Sequence, residues 1–242
     1  MRGWDWAAFR RYLFNTYLLE GAWTTVWLSV AVMAIGLALG LVAALMQMSR
    51  SRALGGPARF YVWLMRGTPL LVQLIIIYTG LPQLGVRFTV IQSALLGLSL
   101  NEGAYLSEII RAGILSVPRG QFDAARAIGM PYATMMRVVV LPQAARVIIP
   151  PLGNNFNGLL KTTSLASVIS LEELLRRSQM LIQIEFKVLE IFVVAALYYL
   201  ALTSLWGVVQ RWLEARFGRG AGAPPARALA PVERTLQEQD AH

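Results

Sequence analysis

An all-α polytopic membrane protein is the fold class this sequence predicts, on three observations. Only 14% of its 242 residues are charged and 56% are hydrophobic, whereas a soluble domain carries roughly a quarter charged residues. The apolar residues gather in several runs long enough to cross a bilayer as helices. No stretch alternates polar and apolar at every second residue, as the wall of a membrane barrel would. A formal charge of +9 would point to nucleic acid in a soluble protein. Here the basic residues flank the apolar runs, so membrane topology accounts for them and no nucleic-acid partner is expected. Cysteine is absent and the single histidine is His242, which leaves neither thiolate nor histidine-based metal or catalytic centres to expect. The chain also lacks the GxxxxGK phosphate loop of an ATPase.

Taken in order, residues 1–20 read as an interfacial segment. Trp4, Trp6, Phe9, Tyr12, Phe14 and Tyr17 stand beside Arg2, Arg10 and Arg11, a mixture suited to the headgroup region. The transmembrane domain is expected over 21–217. Its first span, about 21–47, is too long and too late in the chain for a cleaved signal peptide. It carries Gly36 and Gly40, a small-xxx-small pair that admits a close helix neighbour. The loop from Ser49 to Ala58 holds Arg50 and Arg52 and no acid, with Arg59 and Arg66 following. A short basic loop belongs in the cytoplasm, so the chain begins outside.

Span two, about 57–81, is interrupted by Arg66-Gly67-Thr68-Pro69. Glycine and proline inside an apolar helix free backbone groups that only protein or water can satisfy. Span three, about 90–114, contains Asn101, Glu102, Tyr105, Glu108 and Arg111. Span four, about 138–160, is expected to bend at Pro150-Pro151 and carries Asn154, Asn155 and Asn157. Residues 161–187 read as two short external amphipathic pieces with Glu172, Glu173, Arg176 and Arg177 nearly balanced in charge. Span five, about 188–210, ends inside on Arg211, Arg216 and Arg219. Five transmembrane helices, N-terminus out and C-terminus in, satisfy the charge bias of every loop. Residues 218–242, rich in Gly, Ala, Pro and mixed charge, read as a disordered cytoplasmic tail.

Between spans three and four lies RGQFDAARAIGMPYATMMRVVVLP, from Arg119 to Pro142. Asp123, Ala124 and Ala125 are expected to open a short helix, with the acid in its first turn. The two alanines let a partner backbone approach closely, and Gly129 with Pro131 turns the chain into a second helix. An ordinary helical turn between spans would use alanine as filler. Arg111, Arg119, Arg126 and Arg137 against Asp123 place the loop inside.

Five motifs follow one another: RGTPLLVQ at 66–73, NEGAYLSEIIRAGI at 101–114, the 119–142 loop, LPQAARVIIPPLGNNF at 141–156 and LLKTTSL at 159–165. Together, over about residues 18–217, they resemble the permeases of the polar amino acid uptake family within the type I ABC importers. The loop is similar to that family's EAA loop, with Asp123 where Glu is usual and Val139 where Ile is common. The resemblance implies the type I importer permease fold in a bacterial cytoplasmic (inner) membrane, with cytoplasmic coupling helices over 119–137. It implies a second permease subunit, identical or different, an extracytoplasmic substrate-binding protein, and two ATPase subunits. ATP and Mg belong to those ATPases, leaving no cofactor on this chain. Gln121, Asp123, Ala124, Ala125, Gly129 and Pro131 would then meet the ATPase. The runs YTGLPQLGV and GLSLNEGAY are most similar to permeases for cystine and related amino acids.

An amino acid is a zwitterion and needs acceptors for its ammonium and donors for its carboxylate. Charged groups in mid-bilayer cost roughly 2.5–3.5 kcal/mol each and by default mark a pathway. Three clusters are expected to converge: Thr68 with Gln73; Asn101 with Glu102 and Tyr105; and Lys161 with Thr163 and Ser164. Asn101, Tyr105 and Glu108 share one helical face. Glu102 or Glu108 is expected to take the ammonium, and Lys161 with the nearby hydroxyls the carboxylate. Plainer roles stand beside these: a helix contact for Glu102, an end-holding pair for Glu108 and Arg111, and snorkelling for Lys161. Arg66, about 22 Å from the outer end of its helix, suits a gate or a structural role. Family members commonly carry Asp where this chain has Thr162, a loss that Glu102 could compensate. Other readings are an ABC permease for another small solute, a structural subunit that assembles with a transporting partner, and an ion-gradient-driven transporter. The odd number of spans and the missing internal repeat stand against the last.

Overall fold

The computed structural model describes residues 4–217, so the tail expected at 218–242 lies outside the described residues. Every regular element among those residues is helical.

The chain enters through α1 (Trp6–Leu13), capped by Asp5, whose carboxylate accepts the N–H groups of Ala7 at 3.1 Å and Ala8 at 3.0 Å. The Lys187 ammonium, 2.7 Å away, holds the Asp5 carboxyl below the usual carboxylate range. The Asp5 N–H donates to the buried Glu190 at 2.9 Å. The interfacial segment is therefore fastened to the start of the last helix, with Tyr12 buried beneath it and Trp6 and Phe14 facing outward. Helix α2 (Thr16–Met48) has 33 residues, about 50 Å of rise against a hydrocarbon core of about 30 Å.

Helix α3 (Arg52–Gly67) stops where Thr68 turns extended and Pro69 withholds its N–H. Helix α4 (Leu70–Ile75) departs at 105° and continues through a π turn and a 3-10 turn to Leu84. Helix α5 (Val90–Leu115) opens on a reciprocal cap between Thr89 and Gln92. It lies along α2 in the same direction, Gly36 against Glu102 and Gly40 against Leu106. After α6 (Arg119–Ala127) and the single turn α7 (Tyr132–Met135), a π turn over Met136–Val140 leads into α8 (Leu141–Thr162).

At Pro150-Pro151, where a bend is expected, α8 continues as helix through both prolines. An irregular π turn falls earlier, over Met136–Val140, just ahead of Pro142 at the start of α8, a place where a proline ring disfavours the regular helical ladder. A 3-10 stretch (Thr163–Ile169), α9 (Leu174–Glu185) and α10 (Val188–Phe217) complete the described chain.

Three apolar clusters hold the bundle. One joins Leu28 and Val32 of α2, Leu74 of α4, Leu98 of α5 and Phe156 of α8. A second joins Ala44, Ile110, Ile114, Ala125, Val140 and Ala144. A third joins Tyr12 of α1, Leu18 of α2, Leu174 of α9 and Ile191 of α10. The segment between α8 and α10 docks through Glu173, whose fully buried carboxylate accepts the N–H groups of Leu175 at 2.9 Å and Arg176 at 2.8 Å and the Tyr199 hydroxyl at 2.8 Å. Its charge is thus spent on capping α9 and pinning it to α10. Tyr199→Phe is expected to cost about 1.5–3 kcal/mol, the range for a hydrogen bond to a charged group, read as an earlier unfolding transition in detergent. An unchanged transition would mean that the two N–H groups alone suffice.

Three single helical stretches are long and apolar enough to cross a membrane: Thr16–Met48, Tyr132–Ile169 and Val188–Phe217. The bent α3–α4 pair makes a fourth if counted as one broken span. By length and composition the five expected spans thus become three or four. Helix α5 has the length, at 26 residues, but Asn101, Glu102, Glu108 and Arg111 dilute its apolar character.

Candidate functional site

The break between α3 and α4 strips carbonyls of their helical donors, and side chains take over. Gln73 Nε2 donates to the Met65 carbonyl at 2.9 Å, the Thr68 carbonyl at 3.2 Å and Thr68 Oγ1 at 2.8 Å. Asn101 Nδ2, from the middle of α5, donates to Gln73 Oε1 at 3.1 Å and to the Met65 carbonyl at 3.0 Å. The Thr68 hydroxyl closes the set by donating to the Leu64 carbonyl at 2.8 Å. Two of the three expected clusters therefore meet: Thr68 and Gln73 with Asn101. Much of their hydrogen-bonding capacity is spent on the backbone.

The shared face of Asn101, Tyr105 and Glu108 is present and looks onto the end of α3. The Arg66 guanidinium lies 5.2 Å from the centre of the half-exposed Tyr105 ring. Glu108 pairs with Arg111 at 2.8 Å and with Arg66 at 3.9 Å. Glu102 points elsewhere. It is buried, packs its methylenes against Gly36 and accepts a hydrogen bond from Asn155 of α8. It therefore sits at a three-helix contact of α2, α5 and α8, apart from the Thr68 cluster. Its partner escaped the sequence reading, where Asn155 was one of three asparagines with nothing to single it out.

Lys161 is exposed, the Thr163 hydroxyl is buried and donates to the Leu160 carbonyl at 3.1 Å, and the Ser164 hydroxyl donates to the Lys161 carbonyl at 2.6 Å. Among the described residues no hydrogen bond or ion pair joins this third cluster to the other two. The 3-10 turn that bears Thr163 and Ser164 packs against α4.

On the other side of the molecule, α6 starts at Arg119 behind Pro118, so Asp123 is its fifth residue and not in its first turn. This corrects the expected helix start: proline favours an N-terminal position and adds one turn. Asp123 instead faces Arg126 at 3.6 Å, both largely exposed. The two alanines part company. Ala124 is exposed, whereas Ala125 is 4% exposed among Val117, Met135 and Val140 of its own chain. Gly129, at φ +71°, ends the helix, with the Met130 N–H returning to the Ala125 carbonyl at 3.0 Å. Pro131 begins α7, and the Gln121 side chain accepts from Gln143 at 3.3 Å. Ile128, 76% exposed, and Tyr132, 70% exposed, project beside Asp123 and Ala124. The result is a helical elbow with an uncovered, partly apolar outer face.

Long apolar helices around a broken span, with a polar seam across the break and an exposed elbow at one end, define a membrane permease. Residues 36–219 match the family described as binding-protein-dependent transport system inner membrane component, and the chain belongs to that family. The L-cystine transport system permease protein TcyB of Bacillus subtilis is 44% identical, with 84% of this chain and 87% of that protein covered. The arginine transport system permease protein ArgU of Corynebacterium glutamicum is 40% identical, with 95% and 77% covered. The crystal structure of an amino acid ABC transporter with histidines superposes with a TM-score of 0.83 at 35% identity, covering 89% of this chain and all of that one.

Proposed function

We propose that this chain is the permease subunit of an ATP-driven importer that passes a polar amino acid from a substrate-binding protein across the bacterial cytoplasmic membrane. The pairing, within one family member, of a polar seam at a broken span with an exposed helical elbow carries this reading. The elbow, through Gln121, Asp123, Ala124, Gly129 and Pro131, docks a partner ATPase that binds ATP and Mg, and Ala125 sets its position from beneath. Two permease subunits surround the pathway with two ATPases below. Helix α5 crosses the membrane as the fifth span, its polar residues turned to neighbouring helices and the pathway, with the N-terminus outside and the C-terminus inside. Relatives named for cystine, arginine and glutamine match at similar identity, so the fold relation supports the amino acid class; the resemblance of residues 78–105 favours a cystine-type solute within it.

The substrate site comprises Thr68, Gln73, Asn101 and Tyr105 along the seam, with Glu108 below and Lys161, Thr163 and Ser164 beside α4. The substrate ammonium falls to Glu108 at the end of the seam, or to Glu102, which reaches the pathway only by turning away from Asn155 on α8. Glu102→Gln retains an acceptor for Asn155 and is expected to leave assembly and unfolding temperature unchanged. If Glu102 takes the ammonium, the variant should lower substrate-stimulated uptake into proteoliposomes by about 10²-fold or more, as loss of a charge-assisted contact would. Unaltered uptake would remove Glu102 from the site.

A further inference from the structure

On the inner side of the break lies a cavity of about 620 Å³, lined by Gln47, Arg59, Trp63, Arg66, Glu108 and Arg111. It continues the polar seam. Arg66 is two residues before Thr68 and lies over the Tyr105 ring, while Glu108 is the last member of the face that starts at Asn101. Three guanidiniums thus meet one carboxylate, and that carboxylate is already committed to Arg111 and Arg66. Among the described residues Arg59 has neither an acidic partner nor a hydrogen-bond acceptor. The cavity therefore carries uncompensated positive charge between low-dielectric walls, which concentrate the field.

We propose that this cavity is the exit chamber of the pathway and that it selects by charge, accepting zwitterionic and anionic amino acids and excluding those of net positive charge. The inference rests on the importer reading above and narrows its substrate class. A carboxylate finds two forked donors in Arg59 and Arg66. The α-ammonium of the same molecule finds the half-exposed Tyr105 ring. A side-chain ammonium or guanidinium with no second carboxylate beside it finds no free acceptor and two like charges close by.

The test is equilibrium binding of radiolabelled glutamate, glutamine and lysine to the purified full complex of permease and ATPase, without the binding protein, so that only the membrane part discriminates. Lysine is expected to bind at least about tenfold more weakly than glutamine or glutamate at low ionic strength, with the gap narrowing as salt screens the chamber. Arg59→Glu should close the gap to within about threefold, and Arg59→Lys, which keeps the charge, should preserve it. Equal binding of lysine and glutamine to the unaltered complex, or a gap untouched by Arg59→Glu, would overturn the chamber while leaving an amino acid permease standing. Failure of all three to bind would overturn the chamber as a binding site, and the importer reading would fall only if uptake were also absent with the binding protein and ATP present.

Discussion

Gly40→Leu is expected to destabilise the permease bundle by forcing α2 and α5 apart. A Cβ built at Gly40 falls 2.9 Å from Leu106 Cβ, 3.0 Å from the Gly103 carbonyl and 3.1 Å from the Ser107 nitrogen. Two of those three atoms are backbone and the other is fixed to it, so no side chain can swing aside. The only relief is to push α2 and α5 apart. The seam they share also holds Gly36 on Glu102, Gly103 on Leu39, and the 3.3 Å hydrogen bond from Gln47 to Ser107. Overpacking a tight site costs about 1–3 kcal/mol or more. In lipid the penalty is felt fully, because helices there associate through close contact and not through exclusion of water. The unfolding temperature of the purified complex should fall by on the order of 5–10 °C, with low recovery from the membrane. Gly56→Leu is the matched control, since nothing lies within 4 Å of its Cβ. Equal behaviour of the two variants would show that the α2–α5 seam does not hold the bundle.

Tryptophan substitutions at Ala124 and Ala125 are expected to abolish coupling by two different routes. Ala125 lies under α6 against Met135 and Val140, where an indole has no room, so Ala125→Trp must lift the helix from its own chain. Its signature is a lower unfolding temperature of the permease together with loss of the bound ATPase. Ala124 is exposed, so Ala124→Trp should leave the isolated permease as stable as before, within about 0.5 kcal/mol for a surface change. It should still lower substrate-stimulated ATP hydrolysis by about tenfold or more, because bulk now stands on the face we propose for the ATPase. Full stimulation in Ala124→Trp would displace the docking surface from this elbow. Equal destabilisation by both variants would deny the division between a buried and a docking alanine.

What the sequence disclosed follows the range over which each feature acts. The break at Gly67-Thr68-Pro69 is a local matter of a missing donor and a restricted backbone, and the structure bends there by 105°. The small-residue pair at Gly36 and Gly40 likewise predicts a close neighbour, and α5 is that neighbour. The helical face of Asn101, Tyr105 and Glu108 is arithmetic on a 3.6-residue turn and was legible for the same reason. Pairings across the fold were not. Asn155 reaches Glu102 over 53 residues, and Glu173 finds Tyr199 over 26; no local spacing announces either. Composition also misjudged one position. Glu173 looked like one member of a charge-balanced set and is instead fully buried. The two adjacent alanines of α6 show the limit most plainly, since the same residue type faces opposite environments one position apart.

The stitching at the break has a mechanical meaning. A helix interrupted by glycine and proline would ordinarily serve as a hinge. Here one side chain, Gln73, spans the gap to Met65 and Thr68, and Asn101 ties the same point to α5. The angle between α3 and α4 is thereby locked, and the three helices form a welded bracket. A bracket moves as one piece, so α3, α4 and the middle of α5 shift together. On the importer reading, opening and closing then come from whole subunits rocking against one another, with the elbow as the handle and the bracket as the jaw.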